Sequence, residues 1–148
     1  MTGKADFTQD EWDSVLEGPP SAGMIVVTAQ RGGTIREVVA IARAYAEARQ
    51  QHGASELLDE IVAAKPEIDH HRYRSFDELK QHGLAHLRDA VEILDRKATP
   101  DELEDYRRFV VTLADRVASA NRAGGKEISD AEQVAIDEIT QTVGDASG

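Results

Sequence analysis

Thr8-Gln-Asp-Glu11, Thr34-Ile-Arg-Glu37, Ser75-Phe-Asp-Glu78, Thr99-Pro-Asp-Glu102 and Ser129-Asp-Ala-Glu132 are five copies of one pattern, a hydroxyl residue followed three positions later by glutamate. In a capping box the Ser or Thr oxygen accepts from the backbone N–H three residues on, and the Glu carboxylate reaches back to the cap's own N–H. Two of the four donors left orphaned at a helix start are satisfied in this way. One such tetrapeptide arises easily by chance. Five of them, each ahead of apolar residues recurring about every 3.6 positions, predict an all-α protein.

Extended along the chain, the pattern gives a single compact bundle of about seven helices over residues 1–148, with 1–5 and 145–148 expected to be disordered. Helix one is expected from Thr8 to Glu17, with Phe7 and Trp12 placed as a hydrophobic staple. Gly18-Pro19-Pro20 is expected to stop it, and a second, centrally buried helix to run from Pro20 or Ser21 through Met24, Ile25, Val26 and Val27. Thr34 then starts a third helix to Arg49, with Ile35, Val38, Val39, Ala42, Tyr45 and Ala46 as its apolar stripe. Ser55 caps a fourth that ends before Pro66, because the residue preceding proline is pushed out of the helical region. Ser75 to Lys97 is the fifth, striped by Phe76, Leu79, Gly83, Leu87, Ala90 and Leu94. Thr99-Pro100 opens a central sixth helix to Asn121, with proline at the first helical position. Ser129 to Val143 is the seventh.

The chain of 148 residues carries 17 Lys and Arg against 28 Asp and Glu, a formal charge of −11. Such a balance repels phosphate backbones and anionic lipid at long range, so nucleic acid and membrane are excluded as expected partners. The absence of cysteine removes disulfides and thiolate chemistry. The start, MTGKAD, lacks the basic and apolar regions of a signal peptide, and a cytoplasmic location is the expectation.

Three groups of residues carry candidate chemistry. Glu78, His82 and His86 lie four apart on the fifth helix, so they share one face and offer a carboxylate and two imidazoles to a divalent metal. Gly83 occupies the place where a zinc-helix motif needs its glutamate, and a core-edge histidine is the competing reading of His86. Arg31-Gly32-Gly33-Thr34, with Arg36, places backbone N–H groups and two guanidiniums at one helix start, the recipe for holding an anion. A glycine helix stop with solvated arginines is the competing reading. His70 and His71, in the irregular stretch from Pro66 to Arg74, are loop candidates for acid–base work or a pH-sensitive contact. No nucleophile, paired-carboxylate or nucleotide fingerprint accompanies them, which argues against an enzyme.

The sequence also repeats itself. Gly32-Gly33 precedes Thr34-Ile-Arg-Glu-Val-Val-Ala-Ile41, and Gly124-Gly125 precedes Ser129-Asp-Ala-Glu-Gln-Val-Ala-Ile136. Both glycine pairs follow Val-Val-Thr, at 26–28 and 110–112, so an internal duplication of a helix–GG–capped-helix unit competes with convergent capping.

The run from Phe109-Val-Val-Thr-Leu-Ala-Asp-Arg-Val-Ala to Gly124-Gly125, continuing with Ile128-Ser-Asp-Ala-Glu132, Ile136 and Ile139, resembles the repeat unit of the TerB-like, tellurite-resistance-associated helical proteins. The resemblance covers the last third of the chain, with an echo at Val26 to Ala40. Where that family has Asp-Gly this chain has Gly124-Gly125, so no acidic or metal role is carried over. Taken whole, the chain also resembles a group of conserved actinobacterial proteins that lends it no activity. The resemblance implies a small module in a stress response. The expected function is non-enzymatic binding or scaffolding through a protein partner or self-association, with metal or small-anion binding as the alternative.

Overall fold

The computed structural model describes residues 4–29, 35–50, 56–63, 75–123 and 130–144. Among these residues the chain is all-α: a single 3-10 turn, Lys4–Asp6, precedes α1 (Gln9–Ala29), α2 (Ile35–Gln50), α3 (Glu56–Ala63), α4 (Phe76–Lys97), α5 (Pro100–Ala123) and α6 (Asp130–Gly144). That turn gives Lys4 and Ala5 a defined backbone where disorder is expected.

The helix starts follow the capping logic. At α1 the Thr8 N–H donates to Glu11 Oε1 at 2.9 Å and the Glu11 N–H donates to Thr8 Oγ1 at 3.2 Å. At α5 the same reciprocal pair joins Thr99 and Glu102, at 2.8 and 3.2 Å. At α4 the Glu78 N–H donates to Ser75 Oγ at 3.1 Å. Thr34 and Ser129 lie outside the described residues. The staple is formed too, with the Phe7 and Trp12 ring centroids 5.5 Å apart. Lys97, at the end of α4, completes this corner: its ammonium sits 5.8 Å from the Phe7 ring centroid and pairs with Glu11.

The expected stop at Gly18-Pro19-Pro20 is corrected by the structure, because α1 runs unbroken from Gln9 to Ala29 with both prolines inside it. A proline at position i has no N–H to give the carbonyl at i−4, and its ring crowds that carbonyl out of line. For Pro19 that carbonyl belongs to Val15, and the Tyr106 hydroxyl of α5 donates to it at 2.8 Å in the buried interior. A side chain 91 residues away thus stands in for the missing helical donor. Gly18 leaves room for it, since a Cβ there would run into Tyr106 Oη. The first two expected helices are therefore one, and the described helices number six.

Around α1 the bundle closes in layers. Helix α1 packs most extensively on α4, then on α5; α2 packs chiefly on α5, and α6 packs on α1, α4 and α5 alike. Glycine marks two of the closest approaches: a Cβ on Gly23 would lie 2.8 Å from Ile41 Cδ1 of α2, and one on Gly83 2.8 Å from Ile25 Cδ1 of α1. The buried side chains form one continuous core, to which α1 gives Ile25, Val26 and Val27, α4 gives Leu87, Ala90, Val91 and Leu94, and α5 gives Val110, Leu113, Ala114 and Val117. The apolar faces of the segments expected to be central, in α1 and α5, are buried, and α4 shares the core with them.

Helix α2 departs from expectation. Its core face carries Ile41, Ala44 and Tyr45, with Ala40 and Ala48 partly buried, while Val39, Ala42 and Ala46 are exposed. Of the expected stripe Tyr45 is buried, and the side chains of Ile35 and Val38 lie outside the described residues. The helix is apolar on two adjacent faces, and the tight approach of Gly23 to Ile41 selects between them.

Two helices without a basic residue in their last turn borrow one from a neighbour. Arg49 Nε of α2 donates to the Val62 carbonyl of α3 at 2.6 Å, and Arg107 Nε of α5 donates to the Val143 carbonyl of α6 at 2.8 Å. Each guanidinium satisfies a carbonyl that the helix end leaves orphaned.

Candidate functional site

Helices α2 and α5 meet through an edge-to-face pair, Tyr45 on Phe109, with ring centroids 5.2 Å apart and planes 79° to each other. Burial pushes the Tyr45 phenol well above its ordinary range, so it stays neutral. Toward solvent the same two helices diverge into a cleft of about 690 Å³. Helix α2 lines it with Val39, Ala40, Arg43 and Glu47, which recur at three- and four-residue spacing on one face. Helix α5 faces them with Arg116, Ser119 and Ala120.

The electrostatics of this cleft differ from those of the chain as a whole. Arg116 and Glu47 form an ion pair between the two helices. Arg43 is exposed and makes no ion pair among the described residues. Two guanidiniums against one carboxylate give the described lining a positive balance on a chain of formal charge −11. Val39, 41% exposed, supplies an apolar contact beside Arg43. The arrangement sets an apolar side chain beside a guanidinium. The described lining contains no histidine.

The residues singled out in the sequence fall elsewhere. Glu78, His82 and His86 all lie on α4. Half-buried His86 turns to α1, its Nδ1 3.2 Å from Glu17 Oε2 one residue before the Gly18-Pro19-Pro20 segment. His82 is exposed, and the Glu78 backbone is engaged by the Ser75 cap. Among the described residues no group of three or more His, Asp or Glu side chains is placed to hold a metal ion. Arg31, Gly32, Gly33 and Thr34 lie outside the described residues, as do His70 and His71. Arg36 falls in the first turn of α2.

Sequence reasoning missed Arg43, Glu47 and Arg116. The available signal was Val39 with Arg43 one helical turn later, on a helix already apolar enough to fill its core face without that valine. The pairing of Glu47 with Arg116 depends on how two distant helices cross and left no local trace. No helix among the described residues is long and apolar enough to cross a membrane. No family model, curated protein or solved structure matches this chain.

Proposed function

We propose that this chain is a non-catalytic binding module that works through a protein partner or a second copy of itself, and that the α2–α5 cleft is its binding surface. The observation that carries this reading is the juxtaposition of exposed Val39 with Arg43, which makes no ion pair among the described residues, in a concave site on an acidic chain. A site of about 690 Å³ falls within the range of ligand clefts, and its mixture of apolar wall and guanidinium suits a segment bearing an aliphatic side chain beside a carboxylate. A role in a stress response is part of the proposal and rests on the resemblance of residues 109–139 to the TerB-like repeat.

Anilinonaphthalene sulfonate, an apolar body joined to one anionic group, is a direct probe of this surface. Dilute wild-type protein is expected to bind it saturably at one site. Arg43→Glu and Val39→Asp are each expected to weaken that binding about tenfold, a loss of about 1.4 kcal/mol. His82→Ala, remote from the cleft, is expected to leave it unchanged. Equal affinity in wild type, Arg43→Glu and Val39→Asp would remove the cleft as the binding surface.

A further inference from the structure

Among the described residues the exposed large hydrophobic side chains are Val39, at 41%, and Val134, at 50%. They occupy the same place in the repeated segment. Val39-Ala40-Ile41 in α2 aligns with Val134-Ala135-Ile136 in α6, and in both triplets the isoleucine is buried while the valine faces solvent. Both helices pack on α5. Two helices of the bundle therefore present an exposed valine at the same position of the repeated segment.

The charges around these points are opposite. Val39 is followed one turn later by Arg43 and shares its cleft with Arg116. Val134 has Asp130 one turn before it and Asp137 and Glu138 one turn after, and both aspartates are exposed. Asp137 accepts from Gln133 Nε2 at 3.1 Å on the same helix, which steadies its carboxylate without neutralising it. Glu138 is engaged by Lys80 of α4. One helix face thus offers valine beside cation, and the other offers valine beside anion.

We infer that the occupant of the α2–α5 cleft is α6 of a second copy of this chain, with Val134 seated against Val39 and Ala120 and with Asp137 facing Arg43. The inference rests on the cleft being a binding surface, as proposed above, and names its partner. Two copies that each carry a formal charge of −11 repel at long range. An approach that sets the acidic face of α6 against the arginines of the cleft replaces repulsion with attraction at the contact, and so fixes the orientation. Exchange in both directions makes a closed two-fold pair in which each patch meets its complement on the other subunit.

Sedimentation velocity of the full chain across a wide concentration range tests this. Wild type is expected to self-associate. Arg43→Asp and Asp137→Arg are each expected to weaken association at least tenfold, because each places like charges across the contact. Mixing these two variants is expected to restore it, since both contacts of the mixed pair again join opposite charges. Val134→Asp is expected to weaken association similarly, and far-UV circular dichroism checks that every variant keeps wild-type helicity. A monomer at all concentrations, association indifferent to both charge reversals, or failure of the mixture to reassociate would each overturn the inference. The dye experiment separates the two levels of the argument. A monomeric chain that still binds anilinonaphthalene sulfonate through Arg43 retains the cleft and loses the self-partner, whereas loss of both removes the cleft itself.

Discussion

The continuity of α1 through Pro19 and Pro20 makes a sharp energetic prediction, because one hydroxyl on another helix replaces a backbone donor. Tyr106→Phe removes the 2.8 Å bond to the Val15 carbonyl and leaves that oxygen buried with no N–H from Pro19 to take its place. An unsatisfied buried acceptor costs about 1–3 kcal/mol, and in a chain of this size each kcal/mol lowers Tm by about 2–4 °C. Gly18→Ala alone is also destabilising. Its methyl gains about 1 kcal/mol of helix propensity, but it intrudes on Tyr106 Oη and forces the hydroxyl from its acceptor, for a net loss of about 1–3 kcal/mol. In the Tyr106→Phe background the nearest atom to that methyl becomes Cζ at 3.3 Å, a contact that a shift of a few tenths of an ångström relieves. There Gly18→Ala is expected to be neutral or mildly stabilising, so the double-mutant cycle shows a coupling of about 1–3 kcal/mol. Pro19→Ala supplies the control. It restores an N–H to Val15, and in that background Tyr106→Phe is expected to lose most of its cost. Urea denaturation followed by far-UV circular dichroism, with slopes compared across variants, measures all of these. Additivity of Gly18→Ala and Tyr106→Phe within about 0.5 kcal/mol would refute the substitution of hydroxyl for amide.

Other consequences are simpler. Thr99→Ala removes the cap from the Glu102 N–H and is expected to cost about 0.5–2 kcal/mol in the same denaturation assay, with Ser129→Ala costing as much if it caps α6. Arg107→Met withdraws the donor from the Val143 carbonyl, and hydrogen exchange of the last turn of α6 is expected to accelerate while that of α4 stays as in wild type. The Lys97 ammonium, together with the Thr8 N–H, lowers the Glu11 carboxyl from 4.5 to about 2. Because the folded state holds this group ionised where the unfolded chain protonates, its contribution is complete above pH 4.5 and is lost as pH falls toward 2. Glu11→Gln is therefore expected to flatten the acid dependence of Tm in that window, and a profile parallel to wild type there would contradict the Lys97 pairing.

Helix starts were legible because a capping box is complete within four residues. Thr8, Ser75 and Thr99 bond where their spacing to glutamate predicts, and the Phe7–Trp12 staple forms for the same reason. The passage through Gly18-Pro19-Pro20 was illegible because its resolution is not local. Read by itself the tripeptide breaks a helix, and only the fold brings Tyr106 to the carbonyl that Pro19 leaves unserved. The metal reading of Glu78, His82 and His86 drew on helical spacing alone. Spacing places side chains on one face but does not tell which of them a neighbouring helix will claim, and α1 claims His86 through Glu17.

The cleft shows why a candidate binding surface was harder to read than the core. Helix α2 has more apolar residues than its buried face can use, and periodicity gave a single stripe through Ile35, Val38, Val39, Ala42, Tyr45 and Ala46, of which Tyr45 is buried while Val39, Ala42 and Ala46 are exposed. Gly23, by letting α1 come close to Ile41, turns the helix so that Ile41, Ala44 and Tyr45 go inward and Val39 goes outward. An exposed valine is unremarkable singly. What gives Val39 meaning is that the repeat places Val134 in the same exposed position on a second helix, with charges of the other sign around it. If the two valines meet in a pair of copies, as inferred above, the exchange of charge between Arg43 and Asp137 tests that meeting without disturbing either core.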